Sequence, residues 1–193
     1  MTWLVAGLGN PGERYAKTRH NVGVMVVGEL ARRFGERFRK ARLIPADVAE
    51  IKVDRSRVVL ARSHGWMNES GPAYASLAKR HRVAPDHVIA IHDDLDLAFG
   101  ALRVKVGGST AGHRGLDSLV GALRSLEFNR VRLGIGRPPG RQDPVDFVLG
   151  PFARREEADV GILVSDAADA VVSLVSEGLQ ATQDRFNRSE PRA

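Results

Sequence analysis

Cysteine is absent from the 193 residues of the chain. That removes disulfides, thiolate metal ligands and a cysteine nucleophile, and it suits a reducing cytoplasm, where the protein is expected to reside. No apolar run reaches the roughly 18 residues of a membrane span. The basic region, apolar core and cleavage site of a secretory signal are missing as well, and no membrane partner is expected. There is no Gly-x-Ser-x-Gly elbow, and Ser70, in Asn-Glu-Ser-Gly, lacks the surroundings of a serine nucleophile. No internal repeat, low-complexity tract or interdomain linker interrupts the chain. A hydrophobic content of 43% and a charged content of 27% are ordinary for one well-buried soluble domain.

The charge is less ordinary. The formal net charge is +6. From Arg154 onward, 5 basic and 8 acidic residues give −3, which leaves +9 on the first 153 residues. A basic body with an acidic tail suits an anionic partner, most often nucleic acid, although a solvated arginine-rich surface has the same composition.

Periodicity organises the chain. Residues 2–7 read as a buried strand closed by glycine. After a polar loop, Val22, Val24 to Val27, Leu30, Ala31 and Phe34 form a helical stripe, with Arg32 and Arg33 outward and Gly35 as terminator. The basic segment Arg37–Arg42 follows as a solvated face. Residues 46–53 and 57–63 suit a hairpin. A helix is predicted from about Pro72 to Arg82, with Ala73, Tyr74, Leu77 and Ala78 inward. Strands are predicted at 88–91, 102–106 and 130–135. Between the last two stands a helix bearing Leu116, Leu119, Val120 and Leu123. Beyond Pro151 a long amphipathic helix buries Val160, Leu163, Val164, Ala167, Val171, Leu174 and Val175, and ends near Gly178. Alternating strands and helices predict a single α/β domain over residues 1–193. Its sheet is twisted, mixed and largely parallel, flanked by helices in three α/β/α layers. The tail from about residue 186 is a candidate for disorder.

Four polar loops follow predicted strands: 9–21, 64–71, 92–100 and 107–115. In open α/β sheets such loops line the ligand crevice. The first three carry Asn10, His20, Asn68, His92, Asp93, Asp94 and Asp96. An imidazole can take a proton from water near neutral pH, a carboxylate can orient it, and amides can donate to a developing oxyanion. His92-Asp93-Asp94-x-Asp96 also has the composition of a hard-cation site, or of a capped turn. Gly107–Gly115 can form an anion-binding nest at a helix N-terminus, with Arg103, Lys105, Arg114 and Arg132 as added cations. Gly7-x-Gly9-x-x-Gly12 matches a dinucleotide fingerprint in letters only, because the helical stripe starts too late. His64, His81 and His87 read as surface residues.

Together these motifs resemble the bacterial peptidyl-tRNA hydrolase family. The carrying segments are Gly7-Leu-Gly-Asn-Pro-Gly12 with Tyr15, Thr18-Arg-His-Asn21, Met67-Asn68-x-Ser-Gly71 and His92-Asp-Asp-Leu-Asp96. Lys105-x-Gly-Gly108, Arg130-x-Arg-x-Gly-Ile-Gly136 and Phe147-Val-Leu149 complete them. The resemblance implies a monomeric enzyme that needs neither metal nor cofactor and cleaves the ester between a peptide and the 3′ end of its tRNA. It implies His20 as general base, supported by Asp93, and Asn10 as the residue that positions substrate. Asn68 would bind near the scissile carbonyl, with Met67 shaping the site. Tyr15 and Trp66 would contact the terminal nucleotides or the esterified residue, and Lys105 and Arg132 the phosphate backbone. Asn21, His113 and Arg114 complete the implied substrate-binding set. Arg114 stands where the family commonly has Asn, which replaces a donor–acceptor with a purely donating cation.

Overall fold

Leu4 and Ala6 pack on one side of a sheet and Val5 on the other, as the two-residue period of a strand demands. The same alternation recurs along every central strand. The computed structural model describes residues 1–187. Its seven strands are β1 (Thr2–Gly7), β2 (Arg39–Lys40), β3 (Ala46–Val53), β4 (Ser56–Ser63), β5 (Val88–Asp94), β6 (Leu102–Val106) and β7 (Asn129–Gly134). They form one sheet in the order β2-β3-β4-β1-β5-β7-β6. The central strands β4, β1, β5 and β7 are parallel. Both flanks are antiparallel, through β2–β3–β4 on one side and β6–β7 on the other.

Helices α1 (Val22–Arg33) and α5 (Glu157–Ser176) cover one face, burying Val26, Leu30, Leu163 and Val171 against Val5, Ile89 and Val131. Helices α2 (Gly71–His81) and α3 (Arg114–Leu123) cover the other, with Tyr74, Leu77, Leu116 and Leu119 over Leu4, Ala6 and Ala90. These are the three expected layers. The buried Tyr74 hydroxyl donates to the Gly7 carbonyl at 2.6 Å and accepts from the Ser63 amide at 3.3 Å. It ties the carboxyl ends of β1 and β4 together where the site loops begin.

Some elements depart from the periodic reading. β5 runs on to Asp94, so His92 and Asp93 lie in a strand and not in a loop. Phe34, placed on the apolar stripe, is 40% exposed. A short helix α4 (Pro144–Leu149) starts at an Asp143 cap, and β2 forms within the basic segment. Gly178, at φ 86°, breaks the long helix as expected, but the chain re-enters a helix, α6 (Leu179–Phe186). Gln183 and Asn187 then satisfy the Val104 amide and carbonyl on the edge strand β6. Such cover removes an open pairing edge. Of the tail expected to be disordered from about residue 186, Phe186 ends α6 and Asn187 follows it, and the rest lies outside the described residues.

Candidate active site

Between β1 and α1 the chain makes two short 3-10 turns, Glu13–Tyr15 and Arg19–Asn21, before the helix begins at Val22. No helix starts at the glycines, so the dinucleotide geometry is not formed. The loop instead folds back on itself. The Asn10 amide donates to Asn21 Oδ1 at 2.8 Å, and Asn21 Nδ2 returns a 2.8 Å bond to the Asn10 carbonyl. Gly9 permits this closure, since a Cβ there would lie 2.5 Å from Val24 Cγ2 and 3.0 Å from Asn21 Cγ.

Arg19 anchors the turn that presents His20. Its guanidinium lies 4.4 Å from the Phe147 ring and 4.7 Å from the Phe152 ring, and it meets Glu156 at 2.8 Å. Its amide donates to the Gly150 carbonyl at 3.0 Å. The segment around α4 is thereby fastened to the turn that carries His20. Nothing in the local sequence around Arg19 announces partners more than 120 residues away.

His20 and Asp93 meet at the end of β5. His20 Nδ1 lies 2.8 Å from Asp93 Oδ1 and 3.0 Å from Oδ2. An ionised carboxylate only accepts, so Nδ1 carries the proton and Nε2 keeps the basic lone pair. His113 approaches the same Oδ1 through Nε2 at 3.0 Å, while its Nδ1 accepts from the Leu116 amide and caps α3. Burial alone would raise the Asp93 pKa. The adjacent His20 and His113 rings outweigh that and hold it well below the usual carboxylate range. His92, one residue earlier, points to the other face and donates through Nδ1 to the Asp93 carbonyl at 2.7 Å. Full burial, with His113 beside it, pushes its pKa down to about 3, so it stays neutral.

The dyad forms part of the wall of a cavity of about 460 Å³. Asn10, Met67, Asn68, His113 and Arg114 line it too, so seven of the twelve expected site residues converge here. Asn10 Oδ1 accepts from the Met67 amide at 2.9 Å, which leaves its NH₂ as the remaining polar function. Asn68 and Arg114 are exposed to the cavity. Leu95, Pro144, Val145, Val148 and Leu149 add an apolar wall that the sequence reading had not placed in the site. Its only trace was the Phe147-Val-Leu149 motif.

The other expected residues lie outside the cavity lining. Tyr15 and Trp66 form an edge-to-face pair at 5.7 Å, and Trp66 is 45% exposed. Lys105 and Arg132 share one face of β6 and β7 with Arg103 and Arg130. Burial, then Arg132 and Arg130, lowers the Lys105 pKa. Arg132 Nε is paired with Asp94 at 2.9 Å. Arg130, which sequence reasoning did not assign, is buried and donates to the Gly108 and Ser109 carbonyls at 2.8 Å, holding the glycine loop. Asn21, also expected to contact substrate, is buried, and both its amide functions bond the Asn10 backbone and hold the loop closed.

The acids of the possible hard-cation motif do not converge with His92. Asp94 pairs with Arg132, Asp96 pairs with Arg137, and the buried His92 bonds a carbonyl. Among the described residues, the group whose ligand atoms do converge is His20, Asp93 and His113, within 4.8 Å of one another.

Comparison with known proteins identifies the family. A family model described as peptidyl-tRNA hydrolase matches residues 4–193. Curated peptidyl-tRNA hydrolases from Nocardia farcinica and Cutibacterium acnes are 49% and 48% identical. They align over 95% and 96% of this chain, and over 95% and 98% of their own. The crystal structure of peptidyl-tRNA hydrolase from Acinetobacter baumannii superposes with a TM-score of 0.91 at 30% identity, covering 99% of this chain and 97% of that one. An Arabidopsis thaliana 5′-methylthioadenosine nucleosidase, at 9% identity and a TM-score of 0.54, shares the fold alone. Matched from β1 onward by sequence and over nearly its whole length by structure, the chain belongs to the peptidyl-tRNA hydrolase family.

Proposed function

We propose that the protein hydrolyses the ester joining a peptide to the 3′ end of tRNA, with His20 as a general base on water and no metal in the reaction. The observation that carries this reading is the 2.8 Å contact between His20 Nδ1 and a buried Asp93 on the wall of the cavity. His20 Nε2 removes a proton from water as its oxygen attacks the ester carbonyl. Asp93 stabilises the imidazolium that forms. The tetrahedral intermediate collapses, and the departing 3′ oxygen takes the proton back from Nε2. General-base assistance of this kind contributes about 10²- to 10⁴-fold. The NH₂ groups of Asn10 and Asn68 are the donors for the carbonyl oxygen, each such donor contributing about 3 kcal/mol in the transition state. The peptide lies against Val145, Val148 and Leu149. The tRNA backbone crosses Lys105 and Arg132, with Arg114 at the junction, and Tyr15 and Trp66 offer ring faces to the terminal bases. Because Arg132 is paired with Asp94, phosphate must displace that carboxylate to engage it. The protein works as a cytoplasmic monomer in this reading.

The test is peptide release from an N-blocked aminoacyl-tRNA by wild type and His20→Ala. The variant is expected to lose turnover by at least about 10²-fold while it keeps its fold and its tRNA affinity. Near-normal turnover in His20→Ala overturns the mechanism.

A further inference from the structure

Asp93 accepts from two imidazoles at once, and the resulting cluster has donors of the kind and number that a transition-metal ion requires. His20 Nδ1 and His113 Nε2 reach Asp93 Oδ1 at 2.8 and 3.0 Å, and the His20, Asp93 and His113 side chains are 14%, 3% and 10% exposed. They come from three separate stretches: a turn before α1, the end of β5 and the cap of α3. We propose that His20, Asp93 and His113 form an inhibitory binding site for a borderline-soft divalent cation, with Zn²⁺ as the best match.

The donor set decides the class of ion. Two imidazole nitrogens with one carboxylate oxygen suit Zn²⁺, Co²⁺, Ni²⁺ or Cu²⁺, whereas Mg²⁺ and Ca²⁺ prefer oxygen. Tetrahedral zinc with bonds of about 2.0–2.1 Å places its ligands about 3.3 Å apart. One ligand atom from each of the three side chains already lies within 4.8 Å of the other two. The two hydrogen-bonded contacts therefore open by about 0.5 Å and the remaining separation closes by at most about 1.5 Å. The cavity side leaves the fourth position to water. No residue needs to leave its strand, turn or helix.

The ion acts as an inhibitor because of where it sits on His20, so this inference rests on the reading of His20 as the base. In the free protein, Nδ1 carries the proton and Nε2 the lone pair. A metal on Nδ1 takes up that lone pair, and the proton of the neutral ring moves to Nε2. His20 then has no lone pair left for water. On His113 the metal takes Nε2 and the ring proton moves to Nδ1, at the cost of the 3.3 Å bond from the Leu116 amide. Both rings stay neutral, no proton is released, and the Asp93 carboxylate offsets one of the two cationic charges.

The experiment titrates the intact protein with Co²⁺, read by its visible absorption, and with Zn²⁺ in competition, alongside peptide-release assays. The expected result is one tight site per chain, Zn²⁺ inhibition that EDTA reverses, and no effect of Mg²⁺ at the same concentration. His113→Asn keeps a capping acceptor for α3 but lacks Nε2, and it weakens the ion by about tenfold or more. His64→Gln, at an exposed pair with Asp47 on the surface, leaves the tight site unchanged. Loss of the site in His64→Gln with retention in His113→Asn overturns the proposal. Absence of binding in a protein that His20→Ala inactivates overturns the metal site alone. Cobalt binding that depends on His113 but leaves turnover intact overturns the inhibition, while the assignment of His20 as base stands or falls on His20→Ala.

Discussion

Two glycines in one helix separate packing from propensity. Gly23 and Gly28 both lie in α1. A Cβ at Gly28 meets nothing within 4 Å, whereas a Cβ at Gly23 falls 2.2 Å from the Ile91 carbonyl oxygen and 2.8 Å from the Leu8 amide and carbonyl. Leu8, just past the end of β1, is itself joined to Ile91 in the middle of β5 by a 3.0 Å hydrogen bond. Replacing a helical glycine by alanine gains about 1 kcal/mol of intrinsic propensity. Overpacking against rigid backbone costs about 1–3 kcal/mol, so at Gly23 the clash wins. Gly28→Ala is expected to raise the melting temperature by about 2–4 °C, and Gly23→Ala to lower it by about the same or somewhat more. The clash also has a functional side. The start of α1 must retreat by about 1 Å, His20 lies three residues upstream, and a displacement of that size costs about 10²-fold in rate. Thermal unfolding and peptide release on both variants provide the comparison. If Gly23→Ala melts with wild type and turns over normally, the close approach of α1 to β1 and β5 is not what places His20.

Three further expectations follow from the same contacts. Glu156→Gln leaves the Arg19 guanidinium without its counter-charge between Phe147 and Phe152, and a loss of about 2 kcal/mol in urea unfolding is expected; an unchanged midpoint would sink the idea that Arg19 anchors the turn. Glu29 is held at about 2, below its ordinary value of 4.5, first by its hydrogen bond from Arg32, with burial opposing and Arg33 assisting. Its contribution is therefore complete above pH 4.5 and disappears as pH falls toward 2. Glu29→Gln should be less stable than wild type at pH 7 by up to about 1 kcal/mol, with the gap closing across that window and narrowing in high salt. Chelation of the purified protein with EDTA should leave peptide release undiminished; a loss restored by Mg²⁺ or Mn²⁺ would point to metal-assisted hydrolysis.

The elements whose signals are local were legible. The short apolar run of β1 closed by glycine, the stripe of α5 and the Gly178 break each rest on residues within a few positions of one another, and all appear where the sequence places them. α6 was not legible, because its stabilising partners, the Val104 amide and carbonyl, lie 79 and 83 residues away along the chain. The site divides in the same way. Asn10 and His20 were readable as the ends of one loop, but their closure depends on Asn21, whose buried amide reaches back 11 residues. Arg130 stood in the sequence only as the first residue of a strand motif; its hold on the glycine loop, 21 and 22 residues away, is a tertiary contact.

By itself, then, the sequence determined the order of the longer strands and helices, the basic body and the residue types available for chemistry, since each follows from composition or short-range spacing. Tertiary structure alone decided that one carboxylate serves two imidazoles, that Arg132 is held by Asp94, and that α4 walls the cavity. Those contacts join segments 20 to 73 residues apart in the case of Asp93. Backbone periodicity carries no information at that range; only the stacking of parallel strand ends brings such side chains within hydrogen-bonding distance.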